Sequence, residues 1–345
     1  MVERADGDVT ARVAKAARAA KRGHPAVGGG RRGVVVGGVT VGLAGVMGLH
    51  GVIPNSPGRI GSLVESLLPW GGVVVALLFA VALARRSGVG LVALLLPMGV
   101  WVHSFGELLL PPPEPGAREL LVVQHNVSDV NPDPAGTARA LLAAGGDLVA
   151  LEELVVPALG VYEDVLGADY PHHVVHGTVG LWSKYPIEEE RLVDIRPRAF
   201  EAGWSRGLRA VVRTPYGDVA AYVAHLPSVR LGAGGLASSR RDESARMLGD
   251  LVRGEKVRTV ILMGDLNSTV DDRGLGPLTS QLNVAERGFA FSYPAALPLA
   301  RIDQVLARSA GVSHIRTLPA TSSDHLPVAA RVALDPLPPS GRPAP

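Results

Sequence analysis

The chain has 345 residues, a formal charge of +2 and a mean hydropathy of +0.24, which is high for a wholly soluble protein. It contains no cysteine, so structural disulfides and thiolate metal sites are excluded. Charge is unevenly spread: residues 1–32 carry eight basic side chains against three acids, whereas residues 118–335 carry 22 basic and 26 acidic groups, a formal −4. The basic excess therefore belongs to a tail that precedes an apolar stretch, where Lys and Arg act as a topology signal and hold that end in the cytoplasm.

In chain order, the tail (1–32) is followed by a region (33–110) with three uncharged runs. No Asp, Glu, Lys or Arg occurs from Gly33 to Gly58, and Val34–Ile53 is long enough as a helix to cross about 30 Å of hydrocarbon. Two further uncharged runs cover Ser66–Ala84 and Ser87–Gly106, so three transmembrane helices are predicted. Arg85 and Arg86, between the second and third runs, mark a cytoplasmic turn and place everything after Leu110 outside. The expectation is a multi-pass protein of the cell membrane whose remaining domain is extracytoplasmic. Arg31-Arg32 before an apolar run also fits a cleavable export signal, and the hairpin left behind would still direct that domain outward.

Residues 111–117 (PPPEPGA) form a stiff linker that reaches at most about 23 Å. Beyond it, residues 118–335 alternate short apolar runs with amphipathic stretches. Strands are predicted at Leu120–Val127, Asp147–Leu151, Thr178–Ser183, Leu208–Arg213, Val219–His225, Val257–Met263, Ile302–Leu306 and Leu326–Val332, with helices at Pro134–Ala144 and Gly235–Arg253. Strands outnumber helices and polar residues follow them, so the predicted fold class is α/β, a two-sheet α/β sandwich with a site at one edge. Residues 336–345 read as a disordered tail.

The polar residues at those strand ends are Asn126, Glu152 with Glu153, His225, Asp265 with Asn267, Asp303, and Asp324 with His325. Any one of them alone is an ordinary turn former or cap. Their recurrence after apolar strands is what points to a site, and a site rich in oxygen donors with few imidazoles suits Mg²⁺ or Mn²⁺ better than Zn²⁺. His172, His173 and His176 sit near a strand at spacings that fit a surface or substrate rim better than a metal cluster.

Several of these residues lie in blocks of one known family. The segments 122–127 (VVQHNV), 147–154 (DLVALEEL), 180–187 (GLWSKYPI), Ala224-His225-Leu226, 264–268 (GDLNS), Arg301-Ile302-Asp303 and 323–327 (SDHLP) occur in that order. With them the chain resembles the endonuclease/exonuclease/phosphatase superfamily, which includes deoxyribonuclease I, apurinic endonucleases and neutral sphingomyelinases. The resemblance implies that Glu153 binds a catalytic Mg²⁺ or Mn²⁺, with Asn126 and Asp324 nearby. Glu152 stands where the family commonly has Gln. It further implies that Asp265 orients or deprotonates the attacking water and that Asn267 and His225 contact phosphoryl oxygens. His325, paired with Asp303, would stabilise charge on the phosphoryl group.

The three-span anchor followed by this domain also resembles VanJ-type membrane phosphoesterases of actinomycetes, associated with teicoplanin resistance. That resemblance implies hydrolysis of undecaprenyl pyrophosphate in the cell-wall cycle, with the lipid bilayer and a lipid-linked phosphate as the partners and no protein partner. A surface-anchored nuclease or other phosphodiesterase is the alternative enzyme, although nucleic acid is disfavoured by the formal −4. Arg206, Arg209 and Arg301 are the residues that could line a basic cleft. A non-catalytic glycopeptide-resistance module is the third reading.

Overall fold

The computed structural model describes residues 31–335; the basic tail before Arg31 and the proline-rich end after Asp335 lie outside the described residues. The chain divides into two compact units: the residues up to Leu49 with Pro69–Ser104, and His50–Leu68 with Phe105 onward.

The first unit is helical, built from α1 (Arg31–Gly48), α3 (Gly71–Ala84), α4 (Gly88–Ala93) and α5 (Leu95–Phe105, its last residue in the other unit). Its interior packs Val36, Val75, Ala82 and Leu94 together with small or capped polar groups. Ala82 is fully buried, Thr40 Oγ1 donates to the Val36 carbonyl at 2.7 Å, and Ser87 Oγ accepts from Gly90 N at 3.1 Å. A Cβ at Gly90 would stand 2.9 Å from a Val36 methyl, so the bare backbone is what lets α1 and α4 meet. Many other large apolar side chains point outward, among them Val35, Leu77, Phe79, Val92 and Leu95. In water such a surface is unfavourable at roughly 25 cal/mol per Å² of apolar area.

Two helical stretches, Ile60–Ala84 and Gly88–Leu109, are long and apolar enough to cross a membrane by length and composition, and Val35–Gly48 is a shorter apolar helix. Among the described residues two of the three expected spans thus reach full length, and the first is represented by a shorter apolar helix. The first run, predicted over Val34–Ile53, stops at Gly48 because the next residues fold into the second unit. There the carbonyls of His50 and Ile53 accept hydrogen bonds from the Arg273 guanidinium instead of extending a helix.

The second unit contains α2 (Ile60–Leu67) and a sandwich of two sheets. One sheet has the order β12–β13–β1–β2–β4–β3, formed by Ala310–Thr317, Val328–Leu334, Glu119–Asn126, Leu148–Glu152, Val179–Ser183 and His172–His176. The other has the order β11–β10–β7–β6–β5, formed by Asp303–Arg308, Thr259–Asp265, Gly217–Ala224, Gly207–Thr214 and Ile187–Leu192. Leu120, Val122 and Leu148 from the first sheet meet Leu208, Val223 and Met263 from the second in a common core. On the outer faces, α6 (Pro134–Ala144) and α7 (Ala158–Leu166) cover the first sheet, and α8 (Ser239–Arg253) covers the second. A minimal hairpin, β8 (Leu231–Gly232) with β9 (Gly235–Leu236), precedes α8, and the one-turn α9 (Gly276–Thr279) follows β10.

The two-sheet α/β sandwich is thus the architecture of this unit. Helix α6 has the predicted bounds because Asp133 caps it, its side chain accepting from Gly136 N at 2.8 Å, and Gly145 ends it at φ 70°. The predicted helix from Gly235 begins only at Ser239, its first residues being spent on β9. Strand β5 escapes prediction because its segment, IEEERL, is an edge strand with exposed acidic side chains and no apolar alternation.

Candidate active site

Side-chain alternation carries the core pattern straight into a polar cluster. On β1, Leu120 and Val122 face the other sheet, so Gln124 and Asn126 do too; on β2, Leu148 and Ala150 set the same direction for Glu152. On β10, Ile261 and Met263 share a face with Asp265, and on β11, Val305 and Ala307 share one with Asp303. β1 and β2 are parallel, as are β7 and β10, and Asp265 pairs directly with Asp303 across the β10–β11 ladder. Asn126, Glu152, His225, Asp265 and Asp303 consequently converge at one end of the sandwich, where the chain also enters β13 after His325.

Gly264 makes this convergence possible. Its φ is 148°, and a Cβ there would stand 1.9 Å from the Ala224 carbonyl oxygen. The close approach of β10 to β7 continues in the Leu226 N–H, which donates to the Asp265 carbonyl at 2.9 Å.

Asp265 is the hub. Its Oδ1 accepts from Asn267 N at 2.9 Å, and its Oδ2 accepts from the amides of Asn126 and Asn267, both at 3.2 Å. His225 Nε2 is 3.6 Å and His325 Nε2 3.8 Å from that same oxygen. Burial pushes the Asp265 carboxyl up to about 7 against the pull of His325, with the charge of Asp303 adding to the rise. Burial alone would depress His325, but Asp303, whose Oδ2 lies 2.9 Å from its Nδ1, together with Asp265 and Asp324, lifts it to about 10. Asp303 is itself buried, which raises its pKa, yet His325, Ser292 Oγ (2.6 Å) and Gln124 Nε2 (3.0 Å) bring it below the ordinary value. His225 lies well below its usual range, first through burial and then through Arg206, whose Nη1 lies 3.1 and 3.2 Å from the two ring nitrogens. At neutral pH the site thus holds one imidazolium, one neutral imidazole and a carboxyl near its titration midpoint.

The two adjacent glutamates separate. Glu152 is fully buried, bonded to Gln124 Nε2 at 2.7 Å, and pushed well above the carboxylate range by burial and then by Asp303. Glu153 leaves the strand at φ 61° and turns toward the open site, 26% exposed, with Oε1 3.8 Å from His225 Nε2 and Oε2 accepting from Asp129 N at 3.1 Å. Asn267 is also left-handed, at φ 49°. Two such backbones at strand ends cost on the order of 1–3 kcal/mol each and are held by the surrounding hydrogen bonds. Asp324 is exposed on the loop before His325 and acts on it through charge.

For a divalent cation, the donor chemistry fits. Glu153 and Asp265 face the same ring nitrogen of His225, so carboxylate oxygens gather at the open edge, while Asn126 donates from its Nδ2 to Asp265 and accepts at Oδ1 from Ser128 N. Asp265, Asp303 and His325 also bring ligand atoms within 4.8 Å of one another, but both Asp303 oxygens are already engaged by His325, Ser292 and Gln124.

Gln124 and Ser292 were not singled out by sequence as site members, and Arg206 was named only as a possible cleft arginine. Gln124 sits inside the 122–127 block and strand periodicity could have placed it, whereas Ser292 and Arg206 reach the site only through loops. Of the possible cleft arginines, Arg209 is buried in a bidentate pair with Glu255 at 3.0 Å, and Arg301 is buried with Nη1 on the Gly288 carbonyl; Arg206 alone of these three touches a site residue. The three histidines of β3 do not converge: His173 stacks on Trp182, and His176 pairs with Glu190.

An oxygen-lined edge beside an Asp–His pair, at the end of a two-sheet sandwich, defines a phosphoesterase site. Residues 123–325 match the Endonuclease/Exonuclease/phosphatase family, and the chain belongs to it. It is a metal-dependent hydrolase acting on phosphoester bonds. Similar solved structures include an endonuclease/exonuclease/phosphatase from Beutenbergia cavernae, with 21% identity, TM-score 0.53, and coverage of 63% of this chain and 72% of that one. Humanized D. rerio TDP2 has 16% identity and TM-score 0.52, with 62% and 98% covered. Beta toxin from Staphylococcus aureus has 17% identity and TM-score 0.50, with 61% and 99% covered. At these identities the likeness is one of fold. No curated protein matches the sequence.

Proposed function

We propose that the chain is a membrane-anchored phosphoesterase that works on the outer face of the cytoplasmic membrane, removing a phosphate from a lipid-linked pyrophosphate such as undecaprenyl pyrophosphate. The observation that carries the lipid reading is the outward-facing apolar surface of the helical unit, which a bilayer would cover. The basic tail and Arg85-Arg86 favour an extracytoplasmic hydrolase unit. The sequence resemblance to VanJ-type phosphoesterases supports the substrate class. Against a nuclease stand the formal −4 of residues 118–335 and the engagement of Arg209 and Arg301 in buried contacts.

In this mechanism Mg²⁺ or Mn²⁺ would be held by Glu153 and Asn126, with Asp324 at the rim, and when bound supplies positive charge to the phosphoryl oxygens. Asp265, poised near pH 7, takes the proton of the attacking water, and its orientation is set by the Asn267 N–H. His325, held as a cation by Asp303, donates to a phosphoryl oxygen and stabilises the charge that develops there. Neutral His225 supplies a further donor, Asn267 would supply another by turning its amide from the Leu226 carbonyl to a phosphoryl oxygen, and Arg206 adds a fixed positive charge behind His225.

The test is phosphate release by the full chain in detergent with Mg²⁺, comparing undecaprenyl pyrophosphate, plasmid DNA, sphingomyelin and inositol phosphates. Release from the polyprenyl substrate with intact DNA is expected. Degraded DNA without that release would make the chain a surface nuclease, and a carboxyl-terminal tag protected from protease in intact cells would overturn the outward orientation.

A further inference from the structure

Residues His50–Leu68, which run from the end of α1 through α2 into the start of the apolar stretch Ile60–Ala84, belong to the hydrolase unit. They are bound to it by directed contacts. Gly58 and Gly235 meet backbone to backbone, the Gly58 carbonyl accepting from Leu236 N at 2.9 Å, and a Cβ on Gly235 would fall 2.0 Å from the Gly58 oxygen. Arg59 Nη1 lies 2.6 Å from Asp242 Oδ2. Glu65, buried, takes Arg273 Nη2 at 2.7 Å, Nε at 2.9 Å and its backbone N–H at 2.9 Å.

The Arg59 pair ends directly on a buried group, and the Glu65 pair reaches the same group through the chain, since Arg273 follows Asp272. Arg241 is 1% exposed and bonds Asp242 Oδ1 at 2.8 Å, Asp272 Oδ2 at 2.6 Å and the Asn267 carbonyl at 3.2 Å. Asp242 is the acid shared with Arg59, and Asp272 immediately precedes the Arg273 that Glu65 clamps. Asn267 in turn holds both oxygens of Asp265. A continuous path of charge-assisted bonds therefore runs from an interhelical segment to the loop that carries Asp265 and Asn267.

We infer that Arg59 and Glu65 are positioning residues for hydrolysis: through Asp242, Asp272 and Arg241 they hold the 265–267 loop in its working geometry. This makes the segment from the end of α1 through α2 a built-in part of the active-site support rather than a passive connection. The inference rests on the assignment of Asp265 to the reaction but not on the lipid substrate. It concerns the chemical step, since neither residue touches the reacting groups.

The test uses the full chain in detergent with Mg²⁺ and the soluble probe bis(p-nitrophenyl) phosphate, comparing wild type, Arg59→Ala, Arg59→Lys, the Arg59→Ala/Glu65→Ala pair and Asp265→Ala. For the double variant kcat is expected to fall about 10- to 100-fold, the scale on which small misplacements act, with KM within about twofold. Arg59→Ala should lose part of that rate and Arg59→Lys should restore it, while the thermal transition of both single variants stays near wild type. If the double variant fails to fold, the two single variants carry the comparison. Wild-type kcat in Arg59→Ala and the double variant, with Asp265→Ala inactive, would overturn the positioning role while leaving the site intact. A rise in KM at constant kcat would overturn it as well, and turnover by Asp265→Ala would remove the assignment beneath it.

Discussion

Replacing Asp303 by Asn removes one charge at nearly constant shape and isolates what the carboxylate does for His325. In the wild type, Asp303 Oδ2 lies 2.9 Å from His325 Nδ1, and His325 is raised to about 10 from an ordinary value near 6.5. A rise of that size corresponds to about 5 kcal/mol favouring the imidazolium, of which Asp303 supplies the largest positive share by charge and hydrogen bond. Without it, burial is opposed only by the charges of Asp265 and Asp324, and the ring should titrate well below its wild-type value. The assay is NMR titration of histidine ring signals in EDTA, with His325→Gln identifying the resonance among ten histidines. Wild-type His325 should stay protonated through pH 9, and Asp303→Asn should move its titration well down and lower kcat at pH 8 by about 100- to 1000-fold. The linkage has a definite sign. A raised histidine contributes stability that is complete below pH 6.5 and is lost as pH climbs toward 10, so the stability gap between wild type and variant should narrow over that window. A wild-type His325 that titrates near 6.5, or one unmoved by Asp303→Asn, would refute the reasoning.

Two further outcomes follow from the same geometry. Glu153→Gln should raise the Mg²⁺ concentration needed for half-maximal activity by about 10- to 100-fold. Glu152→Gln should change it little, because burial already favours the neutral form that Gln imitates; a Mg²⁺ titration of the two variants reporting the reverse order would exchange their roles. Glu255, inside the hydrolase unit, is held down to about 2, its burial outweighed by Arg209, Val257 N and the Tyr222 hydroxyl. That depression contributes about 3 kcal/mol, present above pH 4.5 and lost as pH falls through 2, so Glu255→Gln should lower the unfolding temperature at pH 7 and progressively less toward pH 3.

Wherever local chemistry and burial agree, the fold was legible in the residues. Helix α6 follows from Asp133, Pro134 and Gly145, and the central strands follow from apolar runs such as Leu148–Leu151. The edge strands β3 and β5 were not legible, since HHVVH and IEEERL lack a buried face to impose a period of two. The site was legible as a set of strand-end residues, Asn126, Asp265, Asp303 and His325 among them, because alternation and order sufficed. Glu152 and Glu153 could not be separated that way, as adjacency in sequence says nothing of the left-handed turn at Glu153.

By itself the sequence determined the family, the sandwich and the identity of the polar groups, because motifs and side-chain periodicity are local properties of the chain. Only the tertiary structure decided which groups meet. The first apolar run leaves its helix at Gly48, and the next residues form a 3-10 turn whose His50 carbonyl, with that of Ile53, is held by Arg273, 220 residues beyond Ile53. Likewise the segment around Arg59 and Glu65 joins the hydrolase unit through partners at Asp242 and Arg273, and contacts between residues that far apart leave no periodic trace along the chain.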